Sequence, residues 1–482
     1  MPTDIYLVGL GPGSLDRLST ATLDVLLDPA HGVVARTMSH PAACELAAQR
    51  LVVTCDDLYD AGQDFDVVYS SIAERVIAAA KQGPTVYAVP GSIGVGERAA
   101  RLVHDAAVEQ GLSVQTFPGE SFLDLAYLAV GVDPIIDGMQ VLDGRSLSDV
   151  PNLTIPTIVT QVDRPEVADH VTGLLAKVLD DDFAIVVLDA LGNANERVET
   201  ISLTALPEAE LTPLTSVFVP ASVVGLRGLI AVNGTLRDQC PWDQKQTHRS
   251  LVRHLVEETY ETVEALERLS VDAPGGEIDW VAYSHVEEEL GDVLLQVVFH
   301  ATLASEVGAF TMDQIAEGIR RKLVHRHPHV FGDVKADDAD TVIRNWEALK
   351  ADEKGRESLM DDIPVALPAL ARAEKMQRRA RSVGFDYHDI VGAIGDVQAE
   401  LAEFIGASAQ DQESELGDVL FAVVNLARHI SVDAESALRG AIDRFQRRFR
   451  WMEITARDGH RSLGEMSMDE MNDLWRAAKN QV

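Results

Sequence analysis

The sequence predicts an α/β region followed by two copies of an all-helical bundle. Up to about residue 222, short apolar segments alternate with alanine-rich stretches of helical period, which is typical of an α/β domain with a largely parallel sheet. Beyond that point the pattern is almost wholly helical. Within the helical half, the ten-residue block from Glu289 to Val298 returns as Glu415 to Val424 with two differences. The repetition predicts two related helical domains.

Length and charge limit the kinds of partner. The 482 residues suffice for about three domains. The chain carries 41 Lys and Arg residues against 77 Asp and Glu residues, a net charge of −36. Because affinity for nucleic acid depends on clustered Lys and Arg, so acidic a chain argues against a nucleic-acid partner. A small phosphorylated ligand that is held through a metal ion remains compatible with this charge.

Cysteine usage and hydropathy indicate the compartment. Cys44, Cys55 and Cys240 lack the spacing of a disulfide framework or a zinc ribbon, which favours a reducing environment. The amino terminus has no basic start or long apolar core, and no run of 18 apolar residues occurs. We therefore expect a cytoplasmic protein with no membrane partner.

The α/β region begins with an apolar strand at residues 4–8 that runs into a glycine-rich turn, followed by a helix over Leu18 to Leu27. Further helices are expected over Ala73–Lys81 and Glu97–Glu109. Strand signals stop in the Pro- and Thr-rich stretch from 207 to 220, which predicts a domain boundary near 222. The other predicted strands are Gly32–Ala35, Thr85–Val89, Ser113–Phe117, Pro156–Thr160 and Ala184–Leu188.

Three glycine-rich turns follow predicted strands. They are Gly9-x-Gly11-x-Gly13, the stretch 90–97 that starts with Pro90-Gly91, and Pro118-Gly-Glu-Ser-Phe-Leu123. Such loops can share the sheet edge at which open α/β folds bind ligands. Glycines after a strand also serve ordinary tight turns, so the residues alone leave both interpretations open.

These turns resemble those of the tetrapyrrole methylase family. The resemblance rests on Tyr6-Leu-Val-Gly-Leu-Gly-Pro-Gly13, Tyr87-Ala-Val-Pro-Gly91 and Pro118-Gly-Glu-Ser-Phe-Leu-Asp124, and it covers residues 1 to about 222. It implies two α/β lobes with S-adenosylmethionine between them. The residues that it implies for the cofactor are Gly9, Gly11, Gly13, Pro90 and Gly91. At Ser92-Ile93 the chain departs from the family, which usually has an acidic residue or His followed by Pro there.

The helical half opens with two acidic clusters, one holding Glu257, Glu258 and Glu261 and the other Glu289 and Asp292. Residues three apart share one face of a helix, so each cluster places its carboxylates side by side on the rim of an apolar stripe that we expect to be buried. Gathered like charges repel unless a cation lies between them, and Mg²⁺ prefers oxygen ligands. A solvated acidic face is the alternative. The return of the clusters as Glu400, Glu403, Glu415 and Asp418 favours a metal site in each copy.

Basic and aromatic residues recur with the acidic ones. A pair of bases four residues apart could grip phosphates from one helix face, although such pairs are also common on surfaces. A tryptophan could stack on a base, although it is more often part of a core. The first copy has Lys322, Arg326, Trp346 and Lys350, and the second has Arg444, Arg448, Trp475 and Lys479.

Residues 225 to 482 resemble the MazG-type nucleoside triphosphate pyrophosphohydrolases, a family of two tandem helical domains. Besides the acidic clusters, the resemblance rests on motifs that follow the same order: Cys240-Pro-Trp-Asp243, Arg326-His-Pro-His-Val-Phe331, Val383-Gly-Phe-Asp386 and Asn425-Leu-Ala-Arg428. It implies helical domains over 223–354 and 365–482 after a methylase-like domain over 1–222. It also implies a homodimer that hydrolyses nucleoside triphosphates to the monophosphate and pyrophosphate with Mg²⁺ or Mn²⁺.

The same resemblance assigns roles to the acidic residues. Four per copy are implied as catalytic metal ligands, and Glu257 as a further ligand: Glu258, Glu261, Glu289 and Asp292 in the first copy, and Glu400, Glu403, Glu415 and Asp418 in the second. Ala399 replaces Glu257 in the second copy. The residues favour the first copy as the more complete, whereas the family favours the second as the more active. For residues 1–222 the hypotheses are methyl transfer from S-adenosylmethionine or a non-catalytic role as sensor or dimer scaffold.

Overall fold

A computed structural model describes residues 3–59, 65–334, 342 and 358–481 of the chain. These residues form two compact units, Met1–Ile315 and Ala316–Val482. The first unit holds two β-sheets and a set of helices that follows them, and the second unit is helical. None of the helices in the described ranges combines the length and the apolar character that a membrane span requires.

The first sheet has five parallel strands in the order β3-β2-β4-β1-β5. Both of its faces are covered, because alternate residues of its central strands contribute to different core clusters. Tyr87 and Val89 pack with helices α4 and α5 on one face, and Val86 and Ala88 pack with α1 and α2 on the other. The elements are β1 Ile5–Gly9, α1 Thr20–Leu27, β2 Gly32–Ala35, α2 Pro41–Ala47, β3 Val53–Thr54, α3 Asp56–Tyr59, α4 Phe65–Ala80, β4 Thr85–Val89, α5 Arg98–Glu109 and β5 Val114–Phe117.

The second sheet is mixed, with the order β6-β7-β10-β8-β9. Only β6 and β7 run parallel, so the prediction of a largely parallel sheet is correct for the first sheet and wrong for the second. The prediction that strands stop at residue 207 is also wrong, since the fully buried strand β10 is the middle one. The elements are α6 Phe122–Val130, β6 Gln140–Asp143, β7 Thr157–Thr160, α7 Pro165–Leu175, β8 Ala184–Asp189, β9 Arg197–Ser202 and β10 Ser216–Val219.

Helices follow directly after the second sheet, and two long ones form a packed pair, α9 and α10. The side chain of Thr247 accepts the N–H of Ser250 at the start of α9, and Asp279 accepts two N–H groups at the start of α10. Leu251, Phe299 and Leu303 form a small core between them. The elements are α8 Gly225–Gln239, α9 His248–Arg268, α10 Trp280–Glu306, α11 Met312–Arg326 and α12 Pro328–Phe331.

The second unit repeats this arrangement. Helices α14 and α15 form its packed pair, and Asp389 and Asp433 cap α14 and α16. The side chain of Gln377 on α13 donates to the Phe421 carbonyl of α15 at 2.8 Å, which ties the first helix of the repeat to the third. The elements are α13 Ala369–Arg381, α14 Ile390–Gly406, α15 Gln412–His429, α16 Ala434–Asp458 and α17 Met468–Gln481.

Candidate functional site

The first acidic cluster lies between helices α9 and α10. Carboxylate oxygens of Glu258, Glu289 and Asp292 lie within 4.8 Å of one another. Glu289 and Asp292 share one face of α10 because they are three residues apart, and Glu258 meets them from α9. The hydroxyl of the buried Thr262 contacts the Glu258 carbonyl at 2.8 Å and the Glu289 carbonyl at 3.1 Å. Thr262 therefore fixes the two helices at the level of the cluster.

The second acidic cluster lies between α14 and α15. Carboxylate oxygens of Glu400, Glu415 and Asp418 lie within 4.8 Å of one another, at the same positions of the repeat as the first three. Among the described residues, these two triads are the only groupings of three or more potential ligands at this spacing. The structure thus brings together six of the nine predicted acidic ligands as two equivalent sets of three.

The outer acidic residues lie at the edges of the triads. The charge of Glu261 acts on both Glu258 and Glu289, and the charge of Glu403 acts on Glu400, but both side chains are exposed. Glu257 is also exposed, and its Oε2 lies 3.7 Å from Nδ1 of His254. The apolar stripes beside the clusters are only partly buried, since Val256 and Leu290 each keep half of their surface exposed. The predicted buried stripe is wrong in this respect.

The charge distribution of the triads fits a cation. Partial burial, together with the charges of Asp292 and Glu261, raises the pKa of Glu258 above its ordinary value. Burial and the charges of Glu261 and Asp292 raise the pKa of Glu289, and burial and the charges of Glu403 and Asp418 raise that of Glu400. A divalent cation among these oxygens would replace mutual repulsion by attraction, and an all-oxygen donor set suits Mg²⁺ or Mn²⁺.

The structure describes only some of the residues that are predicted to contact phosphates or the base. Lys322 and Arg326 lie on α11, and Trp346 and Lys350 lie outside the described residues. In the second copy, the Trp475 ring packs 5.3 Å from the Phe445 ring and 5.9 Å from the Arg448 guanidinium. Arg444 and Lys479 are exposed on α16 and α17.

The second unit contains a buried ion pair that was not predicted from the sequence. Asp386 accepts hydrogen bonds from Arg428 of α15, with one Nη1 to Oδ2 distance of 3.0 Å, and from His429 at 3.1 Å. The side chains of Arg428 and Asp386 are only 8% and 15% exposed. The motifs around Asp386 and Arg428 were visible in the sequence, but nothing there indicated that they pair across 42 residues. The ion pair anchors the loop before α14 to α15.

We expect Asp386→Asn to lower the free energy of unfolding by about 1–3 kcal/mol, because Arg428 keeps a buried charge without its counter-charge. Burial alone would raise the pKa of Asp386, but the hydrogen bonds and charges of Arg428 and His429 outweigh it and hold that pKa below its ordinary value. The stabilisation is therefore complete above the unfolded-state pKa of about 3.9 and is lost as the pH falls through the folded-state pKa. Urea unfolding of the wild type and of Asp386→Asn, at pH 7 and at pH 3, measures the difference between their free energies of unfolding. An equal difference at both pH values would contradict it.

The glycine-rich turns of the α/β region pack against one another. Gly11 and Gly91 exchange two backbone hydrogen bonds of 3.0 and 2.9 Å, and a Cβ at Gly9 would lie 2.2 Å from the Pro118 carbonyl oxygen. His40, which is buried, donates from Nε2 to the Gly11 carbonyl at 2.8 Å. Close approach of the backbones accounts for glycine at position 9, whereas positive φ values of 66° and 65° account for Gly11 and Gly91. Pro90 adjoins this junction, and Gly13 approaches the Gly192 carbonyl in the same way.

A cavity of about 700 Å³ lies beside these turns, between the two lobes of the α/β region. Glu97 lines it, forms a buried ion pair with Arg36, and keeps one carboxylate oxygen without a protein partner. Gln161 enters the cavity wall with φ of 59°, a backbone conformation that non-glycine residues rarely adopt outside functional sites. The described residues that line the cavity include Ile93 and Gly94. They include none of the five residues predicted to bind the cofactor.

Comparison with known proteins finds a different family in each half of the chain. The family model of the tetrapyrrole (corrin/porphyrin) methylases matches residues 4–207, and that of the MazG nucleotide pyrophosphohydrolase domain matches residues 246–331. The fold and the family models thus define a methylase-like α/β domain followed by a mostly helical region with a MazG domain. This is the class that the sequence predicts.

Individual relatives extend the match to the whole chain. The YabN protein of Bacillus subtilis is 37% identical over 504 aligned positions, which cover 99% of both chains. The nucleoside triphosphate pyrophosphohydrolases of Thermotoga maritima and Escherichia coli are each 40% identical over 52% of this chain, covering 94% and 96% of their own lengths. The chain belongs to the MazG nucleotide pyrophosphohydrolase family, in the fused arrangement that it shares with YabN.

Proposed function

We propose that the chain hydrolyses nucleoside triphosphates to nucleoside monophosphate and pyrophosphate, with Mg²⁺ or Mn²⁺, to clear surplus or damaged nucleotides from the cytoplasm. The single observation that carries this proposal is the convergence of three carboxylates between two helices, twice in one chain. The relatives of Thermotoga maritima and Escherichia coli, whose names state this activity, support it.

The proposed ligands are Glu258, Glu289 and Asp292 in the first copy and Glu400, Glu415 and Asp418 in the second. When bound, the ion lowers the pKa of a water molecule and neutralises charge that develops on the phosphates. Glu261 and Glu403, at the triad edges, are proposed as the bases that would accept a proton from the attacking water. Glu257 is proposed to adjust the charge of the first site from outside the triad. Lys322 and Arg326 are proposed to bind phosphates in the first copy, as are Arg444 and Arg448 in the second.

The remaining proposed substrate contacts are Trp346 and Lys350 in the first copy and Trp475 and Lys479 in the second. For Trp475, the neighbouring Phe445 and Arg448 hold one part of the ring, so a base would stack on the remaining surface. Domain limits of 1–222, 223–354 and 365–482 are part of the same proposal.

The test is a release assay on the full-length chain with Mg²⁺ and each common nucleoside triphosphate. Cleavage between the α and β phosphates releases pyrophosphate, which is detected only after an added pyrophosphatase converts it to orthophosphate. Orthophosphate that appears without the added enzyme would show cleavage at the γ phosphate instead. The complete absence of nucleotide turnover would also overturn the proposal.

We further propose a homodimer that forms through the helical face of the second unit. Leu401 and Leu420, on α14 and α15, each keep about half of their surface exposed, and Ile405 keeps three quarters. Exposed apolar side chains in such a row are typical of protein interfaces. The double variant Leu401→Ser, Leu420→Ser is therefore expected to sediment as a monomer at micromolar concentrations at which the unchanged chain is a dimer. Leu51→Ser, at a position that is 85% exposed in the first lobe, is the control. A wild-type monomer would contradict the proposal.

A second candidate function concerns the α/β domain. The cavity between its lobes and the buried unpartnered oxygen of Glu97 favour binding of a small ligand there, and S-adenosylmethionine is the ligand to test first. Calorimetric titration of the full-length chain decides whether it binds. Heat of binding would support methyl transfer, with Gly9, Gly11, Gly13, Pro90 and Gly91 shaping the adjoining turns. The absence of heat at millimolar cofactor would favour a sensor or scaffold role.

A further inference from the structure

The two copies differ one helical turn before the first carboxylate of each triad. Helices α9 and α14 both begin ten residues before that carboxylate, so their positions correspond. Four residues before Glu258 the first copy has His254, and four residues before Glu400 the second copy has Asp396. Residues four apart lie on the same face of a helix, so both face the acidic triad of their own copy.

In the first copy, the acidic side chain beside His254 is that of Glu257. Nδ1 of His254 lies 3.7 Å from the Glu257 carboxylate, and the imidazole ring lies 6.0 Å from the Trp242 ring in an edge-on arrangement. The fifth carboxylate of the first site is thus Glu257, an exposed side chain that lies beside His254.

Asp396 is held in place by contacts that the first copy lacks. The Tyr387 hydroxyl donates to Oδ1 of Asp396 at 2.7 Å. The Tyr387 ring lies against Gly392, where an added Cβ would be 2.9 Å from ring atom Cδ1, so only glycine admits the ring. The backbone N–H of Tyr387 donates to Asp386 at 2.9 Å, and Asp386 is anchored by Arg428. At the positions of Tyr387 and Gly392 the first copy has Lys245 and Ser250.

From this difference, we propose that Asp396 is a fifth carboxylate of the second site and makes it the tighter divalent-cation site of the chain, with Tyr387 as its positioning residue. The inference rests on the proposed metal-dependent function. Cation sites in proteins are tuned by the number of ligand charges and by the rigidity of the site. Each site has five carboxylates when Glu257 is included, and the hydrogen bond from Tyr387 makes the fifth carboxylate of the second site the more rigidly held. Its charge reaches the triad, because it contributes to the raised pKa of Glu400.

Mn²⁺ titration of the full-length chain, followed by the electron paramagnetic resonance signal of free Mn²⁺, is the test. We expect two classes of site that differ in dissociation constant by about tenfold, the lower end of the range for groups just outside the direct ligands. Asp396→Asn should weaken the tight class about tenfold and leave the weak class unchanged. Tyr387→Phe should weaken the tight class by a smaller factor, since Asp396 then keeps its charge but loses its hydrogen bond.

The converse variant is His254→Asp, which should tighten the weak class and leave the tight class unchanged. The class of the unaltered copy serves as an internal reference, and an unchanged total number of bound Mn²⁺ ions shows that the altered copy is still folded. Equal classes in the wild type, or an unchanged tight class in Asp396→Asn, would overturn this inference while the proposed hydrolysis stands. The absence of any bound Mn²⁺ would overturn both.

Discussion

A chain that carries both Glu258→Gln and Glu400→Gln is expected to release pyrophosphate more than about a hundredfold more slowly than the wild type, since replacing even outer partners of a metal ligand costs about 10–100-fold. Glutamine keeps the size of the side chain and one oxygen but removes the charge that holds the cation. Each triad then has two carboxylates instead of three. Initial rates at saturating Mg²⁺ and nucleoside triphosphate measure the effect.

The single variants assign this activity to the copies. Glu258→Gln reports the rate of the second copy alone, and Glu400→Gln that of the first. Glu264→Gln is the matched control, because Glu264 lies on α9 but pairs with Arg268 in solvent. It should keep the wild-type rate. Wild-type turnover in the double variant would remove the triads from the mechanism.

The outer pair gives a further comparison. Glu261 and Glu403 lie at the edges of the triads and are exposed. Because they are proposed as bases and not as members of the triads, their joint replacement by glutamine should slow pyrophosphate release but leave Mn²⁺ binding in place, which the Mn²⁺ titration measures.

What the sequence could predict was determined by local periodicity. The Glu289 and Asp292 pair is a spacing along one helix, so its shared face follows from the sequence once α10 is assigned. That Glu258 meets this pair depends on the packing of two helices. The repetition of the whole block made this packing a reasonable expectation, although no distance between the helices follows from it. Burial of the adjoining stripes was overestimated, because exposed and buried leucines look alike in a sequence.

The features that were missed depend on contacts between distant segments. Strand β10 is only four residues long and is flanked by residues typical of loops, so its place in the middle of a sheet comes from its neighbours β7 and β8. Asp386 and Arg428 meet because the loop before α14 folds back onto α15. In the sequence, Gly9 and Gly91 were equally compatible with a ligand-binding loop and with an ordinary turn. In the structure, the backbones of their loops contact each other.

Mg²⁺ is expected to stabilise the folded chain against heat. A ligand that binds only the folded state adds about 2.7 kcal/mol per site at a free concentration one hundred times its dissociation constant. Differential scanning fluorimetry in EDTA and in millimolar Mg²⁺ measures the shift in melting temperature. Glu258→Gln with Glu400→Gln should lose most of this shift. The same variant should melt higher than the wild type in EDTA, because it lacks two of the repelling charges.

The size of that shift should depend on pH in a defined direction. Because the pKa values of Glu258, Glu289 and Glu400 are raised, these groups keep their protons to a higher pH in the folded chain than in the unfolded one. The folded state then binds more protons, so this contribution to stability falls as the pH rises from the unfolded-state pKa through the folded-state values. Protons also compete with the cation for the same oxygens. The Mg²⁺-induced shift should therefore be larger at pH 7.5 than at pH 5, and a shift that is independent of pH would show that Mg²⁺ binds elsewhere.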